Sequence, residues 1–303
     1  LKLIDNLEEM FINSGLDCSN YSKTLIGWNN NPLTPNNLTL GALGMEYGTN
    51  AEVARTNLTT TKGWTITGDA PSGETCNYNF ETRWDLSKSI GSGATQIQFN
   101  VSFFNEAVYT WQEISPGNAF GTGTLTYGSN TITGLPANSI IELSISPTNL
   151  WRFYIDNGPD KLRLVGIENW GTSYWASMNG AFYGCENMIY SATDYPNFLY
   201  VRDMRNMFRS CSLFDGNITT WDTRNITDMS FMFSDASNFN QNIDSWNTSS
   251  VTSFSSMFSG ATAFNQNIGR WNLNAADKMK NMLNNSGINC TNYSNTLIGW
   301  SNN

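Results

Sequence analysis

A repeat with a period of 25 residues occupies positions 204–278 of this 303-residue chain. Three consecutive units agree position by position: MRNMFRSCSLFDGNITTWDTRNITD, MSFMFSDASNFNQNIDSWNTSSVTS and FSSMFSGATAFNQNIGRWNLNAADK. A fixed period of this length is typical of stacked arrays, in which each unit buries its apolar side chains against the copy next to it. Because a single unit is too short to bury a Phe and a Trp alone, the period constrains the fold more than local propensity does.

Large apolar residues recur at the same positions of every unit, and we predict that they form the structural core of the repeat. Periodic apolar residues in a stacked array are more often core than a ligand-binding stripe. These residues are Met207, Phe208, Phe214, Ile218, Trp221, Met232, Phe233, Phe239, Ile243, Trp246, Met257, Phe258, Phe264, Ile268 and Trp271. We therefore predict a right-handed repeat solenoid of the leucine-rich-repeat type, with Met, Phe, Ile and Trp at the Leu positions.

Polar residues also recur, and we interpret them as turn residues. An Asn side chain at a fixed place in each unit is predicted to satisfy backbone groups of a turn; these are Asn217, Asn242 and Asn267. The acidic residues of the first unit match no calcium-ligand spacing, so solvated turns are the favoured interpretation; they are Asp215, Asp222 and Asp228.

The composition excludes several classes of function. The chain has no histidine, which removes Ser-His-Asp and Cys-His catalysis and His-ligated metal sites, and its five cysteines form no CxxC pair. We expect no catalytic residue, no cofactor and no metal. The net charge of −9 argues against nucleic acid as a partner. The chain has no apolar run of about 18 residues, so we expect no direct membrane insertion.

Two distant segments of the chain have closely similar sequences. NLEEMFINSGLDCSNYSKTLIGWNNN (6–31) matches DKMKNMLNNSGINCTNYSNTLIGWSNN (277–303), with Cys18 on Cys290 and Trp28 on Trp300. A self-contained domain rarely opens with its own closing motif, so we expect one segment of a longer protein with tandem modules. Residues 1–31 are predicted to be the last unit of a first repeat array.

The segment between the two matching ends divides into three parts. Residues 32–75 are predicted to be a capping segment and linker, with strands in LTLGAL and KGWTITG and a helix that Thr49 caps. Residues 76–160 alternate with period two in TQIQFNVSF, AVYTWQEI, GTLTYG, NTITGL, SIIELSIS and WRFYI, which predicts an antiparallel all-β, Ig-like sandwich. Residues 161–303 are predicted to form a second repeat array, with units starting near 178, 204, 229, 254 and 279.

The units with MF, FNQNI, W and VT in this order resemble the BspA-like leucine-rich-repeat surface proteins of Bacteroidetes. LIGW followed by GWTITGD is similar to multidomain secreted proteins of flavobacteria, which often carry an Ig-like or PKD-like sandwich. The PKD motif WGDG is missing, because Trp111 is followed by Gln-Glu-Ile. The resemblance implies secretion, with the type IX system as one route. It also implies attachment at the cell surface through other parts of the protein, and adhesion.

The cysteines leave two alternatives open. Cys185 and Cys211 occupy equivalent places in adjacent units and would either form a disulfide or serve as buried small residues, as Ala does in the next two units. Cys18 and Cys76 flank the predicted cap, and a disulfide between them would suit an oxidising exterior.

At one aligned position of the repeat, a single unit differs from the others, and this position and its neighbour give the candidate ligand-binding residues. Phe231 stands where the other units carry a small polar residue, and Arg205 lies beside it on the preceding unit. A large aromatic side chain at an otherwise polar place is a candidate contact residue if that place faces solvent.

Three functions are compatible with the sequence. The first is a non-catalytic adhesion module of a larger surface protein, whose partner is a host or cell-surface protein or glycan. The second is a structural unit of an extracellular filament or gliding-motility adhesin, in which neighbouring copies of the module join. The third, a carboxylate-based glycan hydrolase, is the least favoured, because the Glu residues lie in different sequence contexts.

Overall fold

The computed structural model of the chain describes residues 6–8, 10, 11, 16, 18–73, 76, 79–104, 106–146, 150–192 and 194–302. The chain divides into two compact units, residues 1–78 and 79–303, called below the N-terminal unit and the C-terminal unit. The predicted first repeat unit, 1–31, falls partly outside the described residues.

The N-terminal unit combines two helices with short parallel strands. Helix α1 spans Cys18–Asn30, and α2 spans Glu52–Thr60 after a 3-10 turn at Thr49–Ala51. The strands are β1 (Asn6–Leu7), β2 (Thr39–Gly41), β3 (Glu46–Tyr47), β4 (Thr65–Thr67) and β5 (Ala70–Pro71). They form the parallel sheets β1-β2-β4 and β3-β5. The N-cap of α2 is Ala51 with no side-chain cap, so the predicted cap at Thr49 is wrong; Thr49 begins the 3-10 turn instead.

Apolar side chains from α1 and from the segments on either side of it form the core of the N-terminal unit. Those of Phe11, Tyr21, Leu25, Leu38, Leu40, Leu58 and Trp64 are buried together. A disulfide joins Cys18, at the start of α1, to Cys76. The structure thus contains one of the two cysteine pairings that the sequence left open, and this bond closes the segment back onto α1.

The first part of the C-terminal unit is a pair of facing β-sheets. Its strands are β6 (Phe80–Asp85), β7 (Gln96–Phe103), β8 (Ala107–Ser115), β9 (Phe120–Leu125), β10 (Gly128–Thr133), β11 (Ile140–Ile145), β12 (Leu150–Tyr154), β13 (Leu164–Asn169) and β14 (Ile189–Tyr190). One sheet has the order β10-β7-β12 and is antiparallel. The other has the order β14-β13-β6-β11-β8-β9 and is antiparallel except for β14.

Alternating side chains of the two sheets meet in the core between them. Along β6 and β11, every second residue is buried, as expected for strands that cover a core on one face. Phe80 of β6 lies 5.0 Å from Phe153 of β12, and Trp84 lies 5.9 Å from Phe99 of β7, measured between ring centroids. The period-two pattern predicted six of these strands, β7 to β12, but not β6, β13 or β14.

The repeat region, 204–278, is built from turns rather than from strands or helices. Within a unit, the N–H of Met207 donates to the carbonyl of Met204 at 3.2 Å, and Cys211 donates to Phe208 at 3.1 Å. Between units, the N–H of Phe208 donates to the carbonyl of Met232 at 2.9 Å, and Phe233 donates to Met257 at 2.9 Å. Each unit therefore lies on the next with the period of the sequence.

The fold class predicted from the sequence, a leucine-rich-repeat solenoid, is wrong. The regular β structure of the described residues lies in sheets of three, three, six and two strands, none closed and none passing through the repeat region. Units contact each other there through isolated bridges such as Asp203↔Asp228. The physical reason is local: two residues per unit have left-handed backbone, for example Asn206 (φ 55°) and Ser210 (φ 58°), which an extended strand does not allow. The β-rich part of the prediction is compatible with the facing sheets.

A buried ion pair ties two loops of the C-terminal unit together. The carboxylate of Asp160 lies 3.2 Å from the guanidinium of Arg163, and both side chains are fully buried. Arg163 also donates to the backbone carbonyls of Ser89, Gly93 and Gln96 at 2.5–2.8 Å. Because these donors have partners, the charge is buried without an orphaned group.

A last helix, α3 (Cys290–Ser301), follows the repeat region. The side chain of Asn289 caps it by accepting a hydrogen bond from the N–H of Asn292 at 2.9 Å. In the part of the chain that the structure describes, no helix has the length and apolar character needed to cross a bilayer.

Candidate functional site: an aromatic cleft

An open cleft on the C-terminal unit is lined by Trp151, Tyr174, Ala176 and Tyr200, and we call it the aromatic cleft. The three aromatic side chains are 42%, 60% and 59% exposed. Large aromatic residues are usually mostly buried, so three exposed rings around one cleft distinguish it from scattered surface residues.

Trp151 lies on the outer face of β12, at the edge of its sheet. The flanking side chains of Leu150 and Phe153 are buried in the core, which turns the indole of Trp151 outward. The ring of Phe104, itself exposed, stacks on Trp151 with 5.9 Å between centroids and 14° between planes. Phe104 therefore extends the apolar surface beyond the cleft.

Tyr174 and Ala176 come from a segment that runs beside the edge of β12. The N–H of Ala176 donates to the carbonyl of Trp151 at 2.8 Å, and Tyr174 forms a parallel bridge with Asn197. Between them, Trp175 is buried in the core. The buried indole and the backbone bonds hold the phenol of Tyr174 at the surface.

Tyr200 lies in a turn that is anchored on both sides. Phe198 and Val201 are buried, and Phe198 packs edge-on against Trp221 with 5.0 Å between centroids. The N–H of Val201 closes the turn by donating to the carbonyl of Phe198 at 3.0 Å. The rings of Tyr174 and Tyr200 lie 6.3 Å apart.

The arrangement favours binding rather than a reaction. Its lining residues are aromatic or small and carry no formal charge, and each ring is held by buried neighbours. Rings fixed before a ligand arrives lose little conformational entropy on binding. The two phenol hydroxyls can also donate and accept hydrogen bonds at the edge of the apolar surface.

Neither of the two residues predicted to bind a ligand lines this cleft. Arg205 is half-exposed and lies between carboxylates, 2.9 Å from Asp203 and 3.6 Å from Asp228. Phe231 is half-buried, and the cation on its ring is Arg209, 5.1 Å from the centroid. A ligand-binding role for Phe231 and Arg205 therefore stays a prediction, and the geometry gives each a structural partner.

The residues predicted as the core of the repeat are all buried, from Met207 to Trp271. Their rings stack from unit to unit: Phe208 lies 5.8 Å from Phe233, and Phe233 lies 5.8 Å from Phe258. These columns leave no exposed apolar stripe along the repeat.

The recurring polar residues cap turns. The side-chain oxygen of Asn242 accepts from the N–H of Asp244 at 3.1 Å, and that of Asn267 accepts from Gly269 at 3.0 Å. Asp222 and Asp228 accept in the same way from the N–H two residues later. No group of three or more potential metal-binding side chains occurs among the described residues.

Cys185 and Cys211 are buried free thiols, so the disulfide alternative for this pair does not hold. The Sγ of Cys211 donates to the carbonyl of Phe182 at 3.0 Å. Burial raises the pKa of both thiols, which keeps them protonated and unreactive.

Two carboxylates of the six-stranded sheet share one arginine. Arg83 lies 3.1 Å from Glu168 and 3.9 Å from Glu142. Burial raises the pKa of Glu142, and the charge of Arg83 opposes this shift. The common arginine gives both carboxylates a structural partner.

Sequence reasoning missed the aromatic cleft. Its lining residues come from three separate stretches of the chain and each is next to a buried residue, so no periodic pattern marks them. The available signal was a run of aromatic residues outside the repeat columns, in WGTSYW (170–175) and YPNFLY (195–200).

Comparison with known proteins gives one match. Residues 176–296 match the model of a family described as "Mycoplasma protein of unknown function, DUF285". This stretch covers less than half of the chain and includes Tyr200 but neither Trp151 nor Tyr174. No curated protein and no solved structure matches the chain. The repeat region is thus similar to a family related to BspA-like repeat proteins.

Proposed function

We propose that this protein is a non-catalytic binding module of the cell surface that recognises glycans through the aromatic cleft. The observation that carries the proposal is the set of three exposed rings, Trp151, Tyr174 and Tyr200, held in place by buried neighbours.

A glycan fits this surface for chemical reasons. The C–H faces of a pyranose ring are apolar and stack on indole and phenol rings, while the sugar hydroxyls stay hydrogen-bonded to water or to tyrosine. The stacked pair Phe104 and Trp151 lengthens the platform beyond one ring. A protein partner fits this cleft less well than a glycan. A stable protein interface buries roughly 1,200–2,000 Å² in total, which is more than a few aromatic rings provide.

Two further observations support a location outside the cell. The disulfide Cys18–Cys76 is of the kind that persists in oxidising compartments. The match to a family related to BspA-like repeat proteins supports the resemblance at the level of the repeat, and the surface location belongs to the proposal. Adhesion, secretion and surface attachment are parts of the same proposal.

Glycan binding is tested on arrays of host, plant and microbial polysaccharides. We expect the wild type to bind at least one class, and Trp151→Ala with Tyr200→Ala to lose binding by more than tenfold, which is about 1.4 kcal/mol. The matched control is Phe120→Ala, since Phe120 is an exposed aromatic residue of β9 outside the cleft lining. Failure of the wild type to bind any glycan, or equal binding by the cleft variant, would refute the proposal.

A second candidate function, a structural unit of an extracellular filament, is favoured by a different observation. The last turn of the repeat region and α3 leave an open apolar groove, lined among others by Met279, Leu283 and Trp300. Modules that join end to end need such a face. Electron microscopy of the purified protein at high concentration tests this candidate, and a filament would support it over a monomeric glycan binder.

A further inference from the structure

Helices α1 and α3 have nearly the same sequence but different surroundings. CSNYSKTLIGW in α1 corresponds to CTNYSNTLIGW in α3. Tyr21 and Leu25 of α1 are 0% exposed, whereas the corresponding Tyr293 and Leu297 of α3 are 45% and 44% exposed. The same apolar face is therefore covered in the N-terminal unit and open in the C-terminal unit.

The cover of α1 is a defined stretch of chain, residues 32–73, which we call the cover segment. Its buried residues Leu38, Leu40, Leu58 and Trp64 share a core with Tyr21 and Leu25 of α1. Trp64 packs on Trp28 with 5.2 Å between ring centroids. In α3, the residue at the place of Trp28 is Trp300, which lines an open groove with Met282, Leu283, Tyr293 and Leu297.

The cysteines at the start of the two helices also differ, because one is bonded and the other is free. Cys18, at the first position of α1, is joined to Cys76, just past the cover segment. Cys290, at the first position of α3, is an exposed free thiol. An apolar face and a thiol thus lie open together, at the places where their counterparts hold the cover segment.

Among the described residues, the last repeat turn also lacks the backbone hydrogen bond that the earlier turns make. The N–H groups of Met229 and Phe254 donate to the carbonyls of Ser253 and Lys278, at 2.9 and 2.7 Å. The next residue in this series is Met279, whose N–H has no backbone carbonyl partner within the described part of the chain. In the N-terminal unit, the counterpart of Met279 is Leu7, which pairs with Leu40 of the cover segment as β1 pairs with β2.

We propose that the groove between Met279 and Trp300 docks a polypeptide segment with the chemistry of the cover segment. A short apolar strand would pair beside Lys278 and Met279, and a tryptophan would pack on Trp300. A cysteine that follows would form a disulfide with Cys290. In that step an S–S bond forms and two S–H bonds break; two protons and two electrons pass to a small-molecule disulfide oxidant, which is reduced to thiols. This docking does not depend on glycan binding.

The test adds the occupant to the full chain. A second copy of residues 32–76 is fused after Asn303, and the protein is purified in a glutathione redox buffer. We expect disulfide mapping to join Cys290 to the added cysteine, and the thiol of Cys290 to become unreactive in the folded protein. Amide exchange at Met279 and Leu283 should slow by at least about tenfold, since a paired N–H exchanges only when the segment opens.

Two control fusions separate docking from the disulfide alone. A fusion with the added Cys76→Ser should still protect Met279 and Leu283 from exchange, because the apolar contacts remain. A fusion with the added Leu40→Asp and Trp64→Asp should lose this protection. A fusion whose Cys290 stays free and whose exchange equals that of the wild type would overturn the proposal.

Self-association is the other way to cover the groove. If the wild type is a dimer by sedimentation and Leu297→Asp makes it monomeric, a second copy of α3 is the occupant and the proposal is wrong. A wild type that is monomeric with a reactive Cys290 agrees with the proposal.

Discussion

The indole of Trp246 lies parallel to that of Trp221, with 6.5 Å between ring centroids and 3° between planes. The Nε1 of Trp246 donates to the backbone carbonyl of Ile218, in the preceding unit, at 3.0 Å. Trp271 makes the same bond to Ile243 at 3.0 Å, and Trp300 of α3 continues the series to Ile268 at 2.9 Å. The repeated Trp therefore provides both packing and a hydrogen bond between units.

Replacing Trp246 with Phe should destabilise the C-terminal unit. The ring still packs, but the carbonyl of Ile218 loses the indole donor and keeps only the backbone N–H of Trp221 at 3.2 Å. The lost hydrogen bond costs about 0.5–1.5 kcal/mol, and the smaller side chain also leaves a cavity. Urea unfolding followed by circular dichroism measures the loss. The control is Trp151→Phe in the aromatic cleft, which should change the free energy of unfolding by less than about 0.5 kcal/mol. Equal losses in the two variants would contradict this interpretation.

The period of the sequence predicted which residues are buried in the repeat region, because the same volume must be filled in every unit. It did not predict the backbone. The columns of Asn206 and Ser210 require left-handed conformations, and such conformations are a property of turns that apolar periodicity does not report. Leucine-rich-repeat strands were for this reason the wrong expectation.

The aromatic cleft could not be predicted from the sequence for a different reason. In β12, Trp151 and Phe153 are both large aromatic residues two positions apart, yet Phe153 is buried and Trp151 is not. Alternation would place them on the same face of a regular strand. The register shift between Leu150 and Arg152, where β12 pairs with β7, separates them. An irregularity of this kind depends on the partner strand and has no local signal.

Breaking the buried ion pair should be among the most damaging single changes in the C-terminal unit. Arg163→Met leaves the fully buried carboxylate of Asp160 without its counter-charge, which costs about 3–5 kcal/mol. Adding Asp160→Asn should recover part of this loss, because the uncompensated charge is gone. The control is Arg224→Met, whose exposed pair with Asp222 contributes at most about 1 kcal/mol. Thermal unfolding of the wild type and the three variants provides the comparison, and similar losses for Arg163→Met and Arg224→Met would refute the assignment.

Phe231 has a strained backbone conformation, but its ring makes a stabilising contact with an arginine. Its φ of 58° is strained for a bulky side chain, whereas Asn adopts this region readily and occupies the same place as Asn206 and Asn281. Its ring also stacks with Arg209. Phe231→Asn relieves the strain and loses the stacking, so we expect a change within about 1 kcal/mol. Phe231→Ala loses the ring and keeps the strain, and should be the less stable variant by urea unfolding.

The predicted ligand-binding role of Phe231 is tested by measuring glycan binding of the variant Phe231→Ser. Binding equal to that of the wild type would show that Phe231 is not a contact residue.

Tyr190 should make the C-terminal unit sensitive to alkaline pH. Burial raises the pKa of its phenol from 10.0 to about 12, although the hydrogen bond that the indole of Trp170 donates to its oxygen at 2.8 Å opposes this shift. Because the folded state holds the proton more tightly than the unfolded state, the contribution is complete below pH 10 and is lost as the pH rises from 10 to 12. In Tyr190→Phe this dependence is removed, while at neutral pH the buried indole N–H of Trp170 loses its acceptor at a cost of about 1–3 kcal/mol. The free energies of unfolding of the wild type and of Tyr190→Phe are measured at pH 8 and at pH 11, which gives the pH dependence of stability for each protein. The wild type should lose more stability between these pH values than the variant, and equal losses would show that the ionisation of Tyr190 is not coupled to folding.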